Sequence, residues 1–131
     1  MLTASAIATA IDKNPYETRE SLIQQYAGVG KPAFNGNEAT RHGEKYEDEA
    51  VQLFETKTGK TVLLFGLMPF FGRSLLHLGG SVDGVTACGA LIEVKCPYRR
   101  KPNGKVPDYY IPQVQSLMCG LHLPSAYFIE Y

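Results

Sequence analysis

The sequence has no net charge, since 13 Lys and Arg residues balance 13 Asp and Glu. A protein that coats nucleic acid passively is commonly strongly basic, so the balance argues against that role. It leaves room for an enzyme whose acidic ligands offset its phosphate contacts, and where the charges lie then matters more than their sum. The chain also lacks a disulfide framework. Its three cysteines, Cys88, Cys96 and Cys119, are odd in number and irregularly spaced. With no CxxC pair, neither a structural zinc nor a four-cysteine iron–sulfur site is expected. The thiols are expected to be buried or free in a reducing compartment. The start, Met1-Leu2-Thr3-Ala4-Ser5, has no basic segment followed by an apolar one. No apolar run approaches the ~20 residues a membrane helix needs. The expectation is a soluble, cytoplasmic protein with no membrane partner. Paired-histidine metal spacing is absent too. His42, His77 and His122 are scattered and are assigned to surface or packing, with only His42 close to a motif.

What the chain does have is enough length and apolar content for one folded domain. At 131 residues and 44% hydrophobic, it can bury a core without covalent staples. Thr3 or Ser5 is placed to cap a short helix through residue 11, which Asn14-Pro15 stops. Residues 16–26 read as a second helix and residues 28–37, rich in glycine, as a loop. Residues 38–58 give the strongest helical signal, with Tyr46, Ala50, Leu53, Phe54 and Lys57 on one side and Gly59 as the terminator. Strands are expected over residues 61–67, 75–78 and 91–96, with turns at 69–72 and at Asp83-Gly84. A basic loop over 99–107, a helix over 108–119 ended by Gly120, and a closing strand over 125–131 complete the order. Helices, three strands, a helix and a strand predict an α/β fold with a mixed central sheet.

Chemistry concentrates in two short stretches. In a strand over 91–96, Ile92, Val94 and Cys96 share one face, and Leu91, Glu93 and Lys95 the other. A carboxylate and an ammonium thus stand side by side in an apolar strand. That is costly in a central strand unless compensated and unremarkable in an edge strand with a solvated face; both remain open. Ten residues earlier, Asp83 follows Gly79-Gly80-Ser81-Val82, where it is either a turn former or a second acid. Should the two strands pair as a hairpin, Asp83 and Glu93 converge. Converging carboxylates beside a lysine suit an oxygen-ligated Mg²⁺ or Mn²⁺, with the carbonyl of Val94 as a further ligand.

Asp83, Glu93 and Lys95 have the form D-x₉-E-x-K, which resembles the PD-(D/E)XK nuclease signature, with Val82 where proline often stands. Four segments resemble the YqaJ-like viral recombinase and lambda-exonuclease branch of that superfamily: Leu2-Thr3-Ala4-Ser5, Gly43-Glu44-Lys45-Tyr46-Glu47, Glu93-Val94-Lys95-Cys96-Pro97, and Tyr109-Tyr110-Ile111-Pro112-Gln113-Val114-Gln115. They occur in the family's order over nearly the whole chain. The resemblance implies a PD-(D/E)XK, restriction-endonuclease-like core with a mixed central sheet flanked by helices. It implies Asp83 and Glu93 as metal-binding acids and Glu47 as a further acid from the preceding helix. Lys95 is implied to orient water and stabilise charge, and Gln113 to touch the site. Gln115, about 160° farther round the helix, is structural. Ser5 and Ser81 match positions near a terminal phosphate, where a capping or turn role is equally open.

The activity implied is phosphodiester hydrolysis with Mg²⁺ or Mn²⁺, the ion lowering the pKa of a water and polarising the phosphate. Arg99, Arg100, Lys101 and Lys105 follow the catalytic strand and are placed to track DNA phosphates. Tyr98, Tyr109 and Tyr110 are placed to stack on bases or sugars. The resemblance implies DNA as the partner, and allows for a single-strand annealing protein beside it and for a homo-oligomer. Against the family pattern the chain opens four residues before Ser5 and ends at Tyr131, in the last expected strand. The expectation is a single minimal nuclease domain over 1–131, an exonuclease of viral or phage recombination or repair. A flap- or junction-cutting endonuclease and a non-catalytic DNA-binding module are the rival readings.

Overall fold

The structure, a computed structural model, describes residues 1–29 and 38–131. The chain begins with a short strand β1 (Leu2–Thr3), a helix α1 (Ala4–Ala10) and a helix α2 (Arg19–Tyr26). A long helix α3 (Glu38–Thr58) follows, then strands β2 (Val62–Leu63), β3 (Leu67–Pro69), β4 (Leu78–Ser81), β5 (Gly84–Thr86) and β6 (Ala90–Lys95). Helix α4 (Ile111–Gly120) and strand β7 (Ser125–Glu130) complete it, with 3₁₀ turns at Arg73–Leu75 and Asp108–Tyr110. The strands form two sheets, one ordered β1-β4-β3 and the other β2-β5-β6-β7. Both are mixed: β1 runs parallel to β4 and β3 antiparallel to it, while β6 is antiparallel to β5 and parallel to β7.

Strand β6 has neighbours on both sides, so it is a central strand and not a solvated edge. Its two faces feed two apolar layers. Leu91 packs with Ala4, Val82, Val114 and Leu117 beneath α1 and α4. Ile92 and Val94 pack with Ala50, Val51 and Phe54 of α3, with Cys96 beside them. The alternation expected from sequence is therefore the observed one, and it leaves Glu93 on the α4 side.

Helix α3 faces inward differently from expectation. Ala50 and Val51 are buried, whereas Leu53 is exposed. The inward stripe is 47, 50, 51 and 54, the i, i+3, i+4, i+7 pattern of one helical face. Glu47 thus heads the apolar stripe, one turn before Ala50. Gly59 ends the helix with a φ of +69°, a left-handed conformation that glycine adopts freely.

Five local expectations are corrected. Helix α2 starts at Arg19, because Thr18 caps it by accepting from the N–H of Ser21 at 3.1 Å, so Tyr16 lies before it. The strand expected over 61–67 is two short pieces in different sheets, and that expected over 75–78 begins only at Leu78. Thr3 stands at the N-cap position of α1, but its hydroxyl meets Ser5 Oγ at 3.1 Å instead of capping the backbone. Asp83-Gly84 is not the hairpin turn; β5 and β6 pair Gly84 with Ile92 and Val85 with Leu91, so the chain reverses at residues 87–89. Of the loop expected over 28–37, residues 30–37 lie outside the described residues.

Candidate active site

Asp83 sits where the chain passes from the first sheet, at the end of β4, into the second, at the start of β5. The register of β5 on β6 then sets it opposite Glu93. Beyond that point β5 offers no backbone partner, and the N–H of Val94 donates to Asp83 Oδ2 at 2.7 Å. The convergence expected for Asp83 and Glu93 is present, reached through a change of sheet and not through a tight turn.

Glu93 is 3% exposed. Its Oε1 lies 3.1 Å from Lys95 Nζ, while Oε2 is buried and has no partner when both acids are ionised; it can bond to the Asp83 carboxyl only when one of the two carries a proton. Lys95 Nζ also donates to Gln113 Oε1 of α4 at 3.2 Å and lies 4.4 Å from the centre of the Tyr110 ring. The lysine is thus fixed by a carboxylate, an amide oxygen and an aromatic face. Gln115, by contrast, points to solvent.

Burial raises the Glu93 carboxyl to a pKa of about 7; Lys95 opposes the shift and Asp83 adds to it. The lysine is close, yet burial wins, because one ammonium serves only one of the two oxygens. Glu47 is also raised to about 7, first by burial, then by its hydrogen bond with Asp83 and by the charges of Asp83, Asp48 and Glu93. Glu47 of α3 and Glu93 of β6 each interact with Asp83 at the sheet switch, and the three charges repel one another.

Such a set fits a hard divalent cation. The orphaned Glu93 oxygen is the donor type that Mg²⁺ and Mn²⁺ take, and a buried unpaired carboxylate oxygen is otherwise costly. Among the described residues no three His, Cys, Asp or Glu side chains are already gathered as a ready ligand group. A cation here would therefore draw on backbone oxygen or water as well.

Glu47, Val94 and Lys95 line a cleft of about 640 Å³ whose walls also include Tyr16, Arg99, Arg100, Tyr109 and Tyr110. Arg99 and Lys101 are exposed. Arg100 is engaged: its guanidinium grips Glu130 of β7 through two bonds, of 2.9 and 3.1 Å. That bond holds its pKa above the ordinary arginine value. Tyr109 has its hydroxyl pKa raised, chiefly by burial and then by its hydrogen bond with Tyr16. Ser5 and Ser81 are both exposed, and neither lines the cleft. Tyr98 lies 5.4 Å from the His42 ring, which in turn lies 4.7 Å from Tyr46, an aromatic group on the α3 side.

Tyr16 was not singled out from the sequence, yet it lines the cleft. The signal available was Thr18 as a helix cap, which leaves Asn14-Pro15-Tyr16 as a separate connecting segment.

A family model described as a YqaJ-like viral recombinase domain matches residues 1–119. Two structures of the alkaline exonuclease LHK-Exo from Laribacter hongkongensis are similar at 26% identity, one of them in complex with dAMP. Their TM-scores are 0.78 and 0.72, over 99% of this chain and 68% of theirs. A phage-related exonuclease from Haemophilus somnus is similar in fold, with a TM-score of 0.72 at 18% identity. The uncharacterized protein R354 of Acanthamoeba polyphaga mimivirus is 26% identical over 98% of the chain, which spans about a quarter (26%) of that relative's length. The α/β fold is thus the one expected, that of PD-(D/E)XK exonucleases.

Proposed function

The chain belongs to the YqaJ-like viral recombinase domain family, and from that premise we propose that it is a deoxyribonuclease that hydrolyses DNA phosphodiester bonds with Mg²⁺ or Mn²⁺, acting as an exonuclease in viral or phage recombination or repair. The observation that carries this reading is the Glu93 carboxylate, buried with one oxygen on Lys95 and the other unpartnered. A module that only bound DNA would gain nothing from a buried acid group beside phosphate. Similarity to exonucleases at 26% identity supports the same reading.

Asp83, Glu93, Glu47 and the carbonyl of Val94 would hold the cation. Bound there, it would supply an acidified water and charge neutralisation at the phosphate. Lys95 carries three N–H donors; Glu93 and Gln113 take two, and the third is available to orient the attacking water or to meet the developing oxyanion. Gln113 and the Tyr110 ring keep the ammonium in place. Arg99 and Lys101 would follow the phosphate backbone while Arg100, held by Glu130, braces the loop that carries them; Tyr109 would line the strand's path, and Ser5 and Ser81 would lie near a terminal phosphate. No helix among the described residues is long and apolar enough to cross a membrane.

The test is digestion of linear, circular and branched DNA with Mg²⁺, Mn²⁺ or EDTA, with Lys95→Ala in parallel. Metal-dependent loss of linear DNA, slowed about 10²–10³-fold in the variant, is expected, and end-labelled substrates then give the polarity. Cleavage of circles would replace the exonuclease reading with an endonuclease one. Failure to cut any substrate with either metal would overturn the nuclease reading.

A further inference from the structure

Tyr16 is 78% exposed, yet its place is fixed from below. Its backbone N–H donates to Asn14 Oδ1 at 2.9 Å, and Asn14 Nδ2 donates to Thr9 Oγ1 at 2.9 Å. Thr9 is a buried residue of α1, 1% exposed. The connector between α1 and α2 is thereby pinned to the core just before the tyrosine. The Tyr16 ring then meets Tyr109 edge-on, with centroids 5.3 Å apart and planes at 87°. Tyr109 in turn contacts Tyr110, at 4.6 Å, whose face lies on Lys95.

Covering an aromatic ring so exposed would gain hydrophobic free energy. The edge-on contact and the hydrogen bond with Tyr109 still leave most of its surface open, and that surface borders the cleft holding Lys95 and Glu47. A tyrosine with a tethered backbone gives up little entropy on binding a flat ligand. The flat ligands that accompany phosphates are nucleobases, and each base has a π face to offer, whatever its sequence.

We propose that Tyr16 is a base-stacking wall of the cleft, taking the π face of the terminal or unpaired nucleobase next to the phosphate that is cut. This rests on the reading of the cleft as a DNA-cleaving site and adds a contact to it. Tyr16 holds the end of the strand and takes no part in proton transfer. Because stacking ignores base identity, the wall favours frayed or single-stranded ends without selecting a sequence.

The test is the affinity of internally labelled oligonucleotides in EDTA, with an intact or an abasic nucleotide at each end in turn. Tyr16→Ala, Tyr16→Phe and Tyr16→Trp are compared with the wild type. Stacking predicts that Tyr16→Ala weakens binding of intact ends about tenfold and that of an abasic end hardly at all. The Phe and Trp variants keep wild-type affinity, and in cleavage assays the Ala variant shows a raised KM with kcat little changed. Equal losses for Ala and Phe would assign the effect to the hydroxyl and overturn the proposal. So would equal losses on intact and abasic ends. A wild type that binds oligonucleotides but cuts none would sink the nuclease reading while the binding comparison still decides the role of Tyr16. A wild type that cuts DNA with metal while Tyr16→Ala shows an unchanged KM would overturn the role of Tyr16 alone.

Discussion

Asp83 accepts the backbone N–H of Val94 at 2.7 Å, so the acid at the sheet switch also completes the hydrogen bonding of the strand that carries Glu93 and Lys95. Two properties of Asp83, its charge and its acceptor oxygen, can therefore be separated. Asp83→Asn keeps an oxygen for Val94 and removes a charge that raises the pKa of both Glu47 and Glu93. Metal-free Asp83→Asn should be at least as stable as wild type, while metal-dependent cleavage is lost. Asp83→Ala removes the acceptor as well and should fall about 1–2 kcal/mol below Asp83→Asn. Urea denaturation in EDTA with a cleavage assay beside it checks this. Equal stability of the two variants would show that the Val94 bond carries no weight.

The raised acids predict an unusual pH dependence for the metal-free protein. A folded-state pKa of about 7 for Glu93 and Glu47, against 4.5 for an ordinary glutamate, means that the folded state holds the protons more tightly. Their contribution is fully present below pH ~4.5, is lost as pH rises toward ~7, and stays lost above that. Metal-free stability should therefore fall between those limits more steeply for wild type than for Glu93→Gln, which removes one of the two groups. Mg²⁺ should raise the melting temperature more at pH 8 than at pH 5.5, since the cation competes with the protons. Parallel wild-type and Glu93→Gln pH profiles would contradict the burial assigned to this carboxyl.

The elements most legible in the sequence are those where side-chain period and stop signals agree. Helix α3 ends at Gly59, α4 carries its apolar face under Gly120, and β6 alternates as its residues require. Less legible were the glycines of β4, which dilute a strand pattern because Gly79 and Gly80 lie where a Cβ would clash with packed neighbours. Asp83-Gly84 misled for a related reason. The pair reads as a hairpin turn, but Gly84 is required because a Cβ there would collide with Val62 Cγ1, and the turn proper falls three residues later. Within the candidate site, Glu47, Asp83, Glu93, Lys95 and Gln113 were legible through their motifs. The grip of Arg100 on Glu130 was not, since thirty residues separate them and no local pattern links a basic loop to an acid in a later strand.

That grip makes Arg100 distinct from its basic neighbours. Glu130 keeps only 7% of its side-chain surface exposed, so Arg100→Ala leaves a buried carboxylate unpaired, at a cost of about 2 kcal/mol. Arg100→Ala combined with Glu130→Gln should recover part of that, because the orphaned charge is gone. Chemical denaturation of the two variants decides it. A double variant no more stable than the single one would mean that the pair acts through packing and not through charge.

Arg99 and Lys101 are exposed, and their removal should act on DNA alone. Arg99→Ala and Lys101→Ala should leave the melting temperature unchanged. Each should lower the slope of log Kd against log salt concentration on duplex DNA by about 1 if it meets one phosphate. The loss should be the same for every sequence, since phosphate contacts carry no sequence information. An unchanged slope for either variant would remove that residue from the DNA path.

The last prediction concerns the close approach of helices and sheet that holds Asp83 in position. Gly80 of β4 lies under both α1 and α4; a Cβ there would stand 2.6 Å from Leu117 Cδ2 and 3.0 Å from Ala4 Cβ. Leu117 is fully buried and Ala4 nearly so, so neither can move aside without disturbing the core. Gly80→Ala should cost about 1–3 kcal/mol, and Leu117→Ala in the same chain should relieve the clash, so that the double variant is more stable than the two losses added together. The same strain bears on function, because Gly80 is three residues from Asp83 on a strand that leads straight into the sheet switch. In Gly80→Ala, cleavage should fall by more than the loss of folded protein explains. Activity that tracks the folded fraction alone would show that the Asp83 position tolerates movement of β4.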